Sequence, residues 1–263
     1  MREIVQALPG YDYLYLGDNA RTPYGTRSFE TVYDYTLECV TYLFSRGCPL
    51  VVVACNTASA KALRNIQQLD LPRLYPGSTL DSLPARRVLG VIRPTAETIG
   101  TYSKTGHIGI LATSGTVTSE SYLTEIGKFF PDLIVAQEAC PMWVPLIENG
   151  EYDKPGADYF VRQHLDRLLS RDPQIDTLLL ACTHYPLLLP KISGALPGSV
   201  TLVSQGGIVA VSLMDYLARH PDLAAQCTRQ RTRRFLTTDS ATEFSRKASV
   251  FFGETVSAEK VGF

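Results

Sequence analysis

Two cysteines in this chain follow closely similar stretches of sequence. The stretches read LVVVACNTAS, at residues 50–59, and LLLACTHYP, at residues 178–186. In each, a short apolar run ends in Ala-Cys and passes into small polar residues. A free thiol titrates near ~8.5, so modest activation makes it a usable general base near neutral pH. The pair, Cys55 and Cys182, indicates two thiols that face one small anionic substrate.

The elements that position these thiols can be predicted from the same stretches. A continuous apolar run is typical of a strand buried on both faces. Each cysteine then lies at the carboxyl end of its strand, where open α/β sheets bind ligands. It also lies near the first turn of the following helix, whose unpaired N–H groups favour a thiolate and a bound carboxylate. A single cysteine in this position is most often a buried residue with only a packing role. The repeated context of the two cysteines instead favours a functional role.

The composition narrows the class of protein. The chain has 263 residues, a formal net charge of -1 and six cysteines. The absence of a basic excess argues against nucleic acid as a partner, and no apolar stretch approaches the ~20 residues of a membrane span. No signal peptide opens the sequence, so we expect a cytoplasmic protein with free thiols. The cysteines form no CxxC pair and do not cluster with histidines, so we expect no metal.

Strand and helix patterns alternate along the chain, which predicts an α/β fold with mostly parallel sheets. We expect two similar Rossmann-like domains with the active site in the cleft between them, because the cysteine motifs lie in separate halves. The first domain is predicted at 1–92 and 205–263, and the second at 93–204. Helices are predicted at 29–44, 58–69, 119–130 and 241–252, strands at 88–92 and 177–181, a loop at 71–87 and an irregular segment at 139–150.

Several polar residues near the two motifs are candidates for the site. The imidazole of His184 can adjust the protonation of Cys182. The alternative is that His184 is a capping or core histidine. Asn56, Thr57 and Thr183 carry the amide and hydroxyl groups that suit a carboxylate.

The loop at residues 17–25 adds candidates of a different kind. Tyr24-Gly25 reads as a turn, and turns expose N–H groups that can bind an anion. Asp18 reads as a turn residue and Glu148 as a solvated charge, unless the fold brings either beside a cysteine.

The sequence resembles the glutamate racemases of the cofactor-independent aspartate/glutamate racemase superfamily. The resemblance lies in GDNARTPYG at 17–25, ACNTAS at 54–59, GTVTS at 115–119 and ACTHYPLL at 181–188. It implies a two-base reaction in which Cys55 takes the α-proton of D-glutamate and Cys182 that of L-glutamate. It also implies a catalytic role for His184 and Glu148, and no pyridoxal phosphate or other cofactor. The implied substrate-binding residues are Tyr24, Gly25, Asn56, Thr57, Thr116, Thr183 and His184.

Three departures from the family pattern accompany the resemblance. The family begins with a strand and an Asp-Ser-Gly loop, and Met1 aligns inside the helix that follows that loop. Arg93-Pro94 stands where Glu-Pro is common, and Val203-Ser204 stands where an aspartate is common. From the first departure we expect the chain as written to be less stable and less active than a form extended upstream, and the other two concern only local detail.

The resemblance places the protein in the supply of D-glutamate for peptidoglycan, with glutamate as its small-molecule substrate. A homodimer and a monomer both stay open. The alternatives to this function are a racemase for aspartate or another small acid, and a shortened relic that only binds a ligand or partner.

Overall fold

The computed structural model describes residues 1–77 and 86–262, and within them strands and helices alternate. The strands are β1 (Tyr13–Gly17), β2 (Leu50–Val53), β3 (Arg87–Gly90), β4 (His107–Ala112), β5 (Ile134–Ala139), β6 (Thr177–Ala181), β7 (Thr201–Ser204), β8 (Arg233–Thr237) and β9 (Ala258–Lys260). The long helices are α2 (Phe29–Ser45), α10 (Pro155–Arg171), α12 (Gln205–Arg219) and α14 (Ala241–Phe252). The shorter ones are α1 (Arg2–Ala7), α3 (Asn56–Lys61), α4 (Leu63–Asn65), α5 (Leu71–Leu74), α6 (Ile92–Ala96), α7 (Ser114–Thr118), α8 (Ser121–Phe129), α9 (Trp143–Glu148), α11 (Leu189–Ala195) and α13 (Pro221–Gln226).

Three parallel sheets contain these strands. The largest has the order β5-β4-β6-β7, a second pairs β2 with β3, and a third has the order β1-β8-β9. Every strand pairing in the described residues is parallel. The structure thus confirms the predicted α/β class with parallel sheets. The strands of the predicted first domain lie in two separate sheets. The domain boundaries predicted above stay a proposal.

The apolar run before Cys182 is explained by helices on both faces of the largest sheet. Leu178 and Leu180 point into a core built with α10, including Leu165 and Leu168. The intervening Leu179 and Ala181 point into a second core with α6 and α8. A strand covered on both faces has no solvent side, so it reads as continuously apolar.

The apolar run before Cys55 is also covered on both faces, although β2 has a single neighbouring strand among the described residues. Val51 and Val53 pack against α2 and the helical segment at 62–66. Leu50 and Val52 face the other way, toward Leu213 and Leu217 of α12. Both cysteine strands therefore lie between two layers of helix, as the sequence predicts.

Five local predictions need correction. The strand predicted at 88–92 ends at Gly90, and α6 begins at Ile92. The segment at 139–150 is not irregular, because α9 occupies its centre and buries Trp143 and Ile147. The helix predicted at 58–69 begins earlier, at Asn56, and is divided into shorter segments. The helix predicted at 119–130 begins later, at Ser121, because Glu120 before it has a φ of 53°. The loop predicted at 71–87 contains α5, and residues 78–85 of that loop lie outside the described part of the chain.

Candidate active site

Cys55 lies where β2 passes into α3, as the residue immediately before the first helical turn. The backbone N–H groups of Thr57 and Ala58 and the Thr57 hydroxyl lie near enough to its sulfur to favour the thiolate. Burial raises the pKa of the Cys55 thiol above its ordinary value, and these donors oppose that rise. A negative charge on Cys182 raises the pKa of Cys55 further, so the Cys182 side chain lies near that of Cys55.

Cys182 follows β6 and is buried. His184 Nδ1 lies 3.8 Å from the Cys182 sulfur, and His184 Nε2 lies 2.7 Å from Glu148 Oε1. The chain after Cys182 makes a turn and then a 3-10 helix at Tyr185–Leu188 before α11. The cysteine is therefore near a helical start, as predicted, but the element that follows it differs from the α-helix after Cys55.

The ionisation of His184 is set by its two partners. Burial opposes the charged imidazolium, but the hydrogen bonds and charges of Cys182 and Glu148 outweigh it and raise the pKa of His184 to about 10. The hydrogen bond from His184, against the opposing effect of burial and with help from Lys247, lowers the pKa of Glu148 to about 2. A positively charged imidazole beside a sulfur favours the thiolate.

Three threonine hydroxyls from two separate segments of the chain meet beside the Cys55 motif. Thr57 Oγ1 lies 2.8 Å from Thr113 Oγ1 and 3.4 Å from Thr116 Oγ1, and the last two are 3.0 Å apart. Thr57 and Thr116 were candidates from the sequence, whereas Thr113 was not. Its position as the capping residue before α7 is the sequence signal that could have indicated it.

Asn56 is held by a buried polar network. Its Oδ1 accepts a hydrogen bond from Tyr122 OH at 2.6 Å, and its Nδ2 donates to Gln205 Oε1 at 2.8 Å. Gln205 also donates to Thr95 Oγ1 at 3.0 Å. Tyr122 and Gln205 therefore fix the residue that follows Cys55, and neither could be inferred from local sequence because both are far from it along the chain.

The turn at Tyr24-Gly25 also contacts the segment at 113–115. Gly115 N–H donates to the Gly25 carbonyl at 2.8 Å, and a Cβ added at Gly25 would lie 3.0 Å from Thr113 Cβ. Tyr24 OH donates to Asp18, whose carboxylate also accepts from Arg21 and Thr238. Burial, and then the hydrogen bond to Asp18, raises the pKa of Tyr24. Asp18 is thus more than a turn residue, because it orients Tyr24.

Thr183 stands apart from these contacts. It is exposed and lies in the turn between β6 and the 3-10 helix. Its proposed role in substrate binding stays a prediction.

Two further properties of the described residues bear on the class of site. No group of three or more histidine, cysteine, aspartate or glutamate side chains in residues 1–77 and 86–262 is arranged to hold a metal ion. Among those residues, no helix has the length and apolar character needed to cross a bilayer.

Comparison with known proteins assigns the chain to a family. The sequence profile described as Asp/Glu/Hydantoin racemase matches residues 1–213. The chain belongs to this family, because the match covers well over half of its length. It is therefore a racemase, an enzyme of the isomerase class.

Individual proteins similar to this chain are glutamate racemases. A glutamate racemase of Geobacter metallireducens is 38% identical over 96% of this chain and 87% of its own length. The crystal structure of glutamate racemase isoform RacE1 from Bacillus anthracis has a TM-score of 0.85 at 33% identity and covers 99% of this chain and 91% of that one. A Francisella tularensis glutamate racemase in complex with D-glutamate has a TM-score of 0.83 at 26% identity, covering 99% and 91%.

Proposed function

We propose that this protein interconverts L-glutamate and D-glutamate by moving the α-proton between two thiols, Cys55 and Cys182. The observation that carries the proposal is the placement of both cysteines at the carboxyl ends of parallel strands, with Cys182 near enough for its charge to raise the pKa of Cys55. The relatives named as glutamate racemases support glutamate as the substrate.

The chemical step needs one thiolate and one thiol at the start. With L-glutamate, the Cys182 thiolate takes the α-proton, so that an S–H bond forms and the C–H electron pair stays on the α-carbon. The Cys55 thiol then gives its proton to the opposite face of that carbon and is left as a thiolate. The product is D-glutamate, and the same steps in reverse convert it back. No electron is gained or lost, so no redox partner is needed.

The polar residues around the thiols have separate tasks in this proposal. His184, held by Glu148, favours the thiolate of Cys182. The N–H groups at the start of α3 do the same for Cys55. We assign the carboxylates of the substrate to the hydroxyl cluster of Thr57, Thr113 and Thr116. Asn56, Thr183 and the Tyr24-Gly25 turn complete that binding surface.

The proposed biological role is the supply of D-glutamate for peptidoglycan synthesis in the cytoplasm. The reaction as written uses only side chains of this chain, and glutamate is its small-molecule partner. A homodimer is one assembly in which the site could work, and a monomer is the other.

The test is an amino-acid panel in heavy water with the purified chain. We expect racemisation of both glutamate enantiomers, little or none of aspartate, and deuterium at the α-carbon of the product. Early in the reaction the recovered substrate should keep its proton, because the proton taken by one thiol is not the one delivered by the other. Preferred turnover of another acid would contradict the substrate, and absence of α-exchange with every amino acid would contradict the racemase function.

A further inference from the structure

Helix α14 reaches the Cys182 side of the site from a distant part of the chain. Lys247 Nζ donates to Glu148 Oε2 at 2.8 Å, although the two residues are 99 positions apart. One turn further along the same helix, the ring of Phe251 packs edge-on against the His184 ring, with centroids 5.5 Å apart. The helix therefore contacts both members of the Glu148–His184 pair.

The two oxygens of Glu148 have different partners. Oε1 lies 2.7 Å from His184 Nε2, and Oε2 accepts from Lys247. Glu148 is the last residue of the short helix α9, and its side chain is about one-third exposed (34%). A carboxylate at such a helix end has rotational freedom, and a second partner on its other oxygen restricts that freedom. Tyr15 of β1 also lies near enough to sense the Glu148 charge, but it is a neutral phenol whose pKa is raised by burial.

We propose that Lys247 is a positioning residue for the Cys182 side of the reaction. It holds Glu148 so that Glu148 keeps the His184 ring directed at the Cys182 sulfur. Cys55 has a different set of donors, the N–H groups and hydroxyl at the start of α3. Lys247 therefore acts on one of the two thiols. This inference rests on the proposed racemase function and deepens it.

The effect has a kinetic signature that a general structural role would not produce. The two enantiomers have equal free energy, so kcat/KM must be equal in the two directions for every variant. A loss on the Cys182 side therefore appears in the isotope effects instead. If proton transfer at Cys182 becomes slower, the α-deuterium isotope effect on kcat/KM rises with L-glutamate and falls with D-glutamate.

The experiment compares three variants of the full chain. Lys247→Met removes the charge and keeps the length, Lys247→Arg keeps a donor, and Arg246→Gln is the matched control. Arg246 is the neighbouring residue on α14 and pairs with Glu243 on its own helix, so it removes the same charge without touching Glu148. Thermal midpoints of all three check that the fold is kept.

We expect Lys247→Met to lower kcat/KM by about two- to fivefold, since partly exposed ion pairs contribute modestly. Its isotope effects should move in opposite directions for the two enantiomers, Lys247→Arg should return them toward the wild-type values, and Arg246→Gln should leave them unchanged. An active enzyme whose Lys247→Met variant shows unchanged isotope effects, or the same shift with both enantiomers, would overturn the role of Lys247 alone. A wild-type chain without glutamate racemisation would overturn the proposed function itself.

Discussion

The two cysteine strands share a sequence pattern but differ in their surroundings. β6, before Cys182, has neighbours on both sides, β4 and β7, and all five of its residues are buried. β2, before Cys55, pairs with β3 alone among the described strands, and only two of its four residues are buried. The same motif thus follows a central strand in one case and, among the described strands, an edge strand in the other.

The groups that favour a thiolate at each cysteine also differ, because those near Cys182 come from more distant parts of the chain than those near Cys55. Cys182 depends on a relay of side chains, His184 and Glu148, which come from separate elements and must be held in place. Cys55 depends mainly on backbone N–H groups of its own helix, which need no distant partner. The buried central strand β6 is therefore combined with side chains from other elements around its cysteine. The less buried strand β2 is combined with backbone N–H groups that follow its cysteine directly.

The largest expected effect tests whether the two thiols are equivalent in function despite this difference. Cys55→Ala and Cys182→Ala should each lower glutamate racemisation by ~10²–10⁴-fold in both directions, because each direction needs one base and one acid. Turnover of both enantiomers by polarimetry or chiral separation measures this. Cys227→Ala is the control, since Cys227 is a partly buried free thiol outside the proposed site. Near-normal turnover in either active-site variant would make that cysteine structural.

A second prediction concerns the strands themselves. Amides in the ladder of β6 with β4 should exchange with solvent at least about tenfold more slowly than those in the ladder of β2 with β3, because local stability follows burial and the number of neighbouring strands. Hydrogen exchange followed by mass spectrometry or NMR resolves the two regions. Equal protection would show that the free edge of β2 has no consequence for its stability.

Much of the fold could be predicted where one local signal dominates. The strand at 177–181 and the helix at 241–252 agree with the structure to the residue. The first is a continuous apolar run between two helical layers, and the second begins after Ser240, whose side chain accepts from the Glu243 N–H. Ser28 caps α2 in the same way.

The errors have an equally local cause. The segment at 139–150 contains Pro141 and Pro145, but Pro145 lies in the first turn of α9, where its missing N–H costs little. Burial of Trp143 and Ile147 then stabilises a helix that propensity alone does not favour.

Contacts between distant segments could not be predicted from the sequence. Thr113 meets Thr57 across 56 positions, and Gln205 meets Asn56 across 149. Neither residue belongs to a motif, and each acquires its role only when two segments fold together. The sequence therefore indicated Asn56 and Thr57, beside Cys55, but not Gln205 and Thr113, which form hydrogen bonds with them.

The smallest expected effect is the pH dependence of stability from the Glu148–His184 pair. The folded-state pKa of His184 is raised from 6.5 to about 10, so its stabilising contribution is full below pH 6.5 and is lost as the pH rises through about 10. The folded-state pKa of Glu148 is lowered from 4.5 to about 2, so its contribution is full above pH 4.5 and is lost as the pH falls through about 2. Both contributions are complete only between pH 4.5 and 6.5.

Glu148→Gln removes the charge and keeps the size of the side chain. The difference in thermal midpoint between wild type and variant should be greatest in that window, at most about 2–4 °C because the pair is partly exposed, and should shrink toward both pH extremes. Calorimetry at fixed low ionic strength from about pH 3 to about pH 10 measures it. Glu243→Gln, which breaks only the exposed pair with Arg246, is the control for loss of a carboxylate that does not contact His184. A Glu148→Gln difference that increased steadily toward alkaline pH would contradict the raised pKa of His184, and with it the support that distinguishes Cys182 from Cys55.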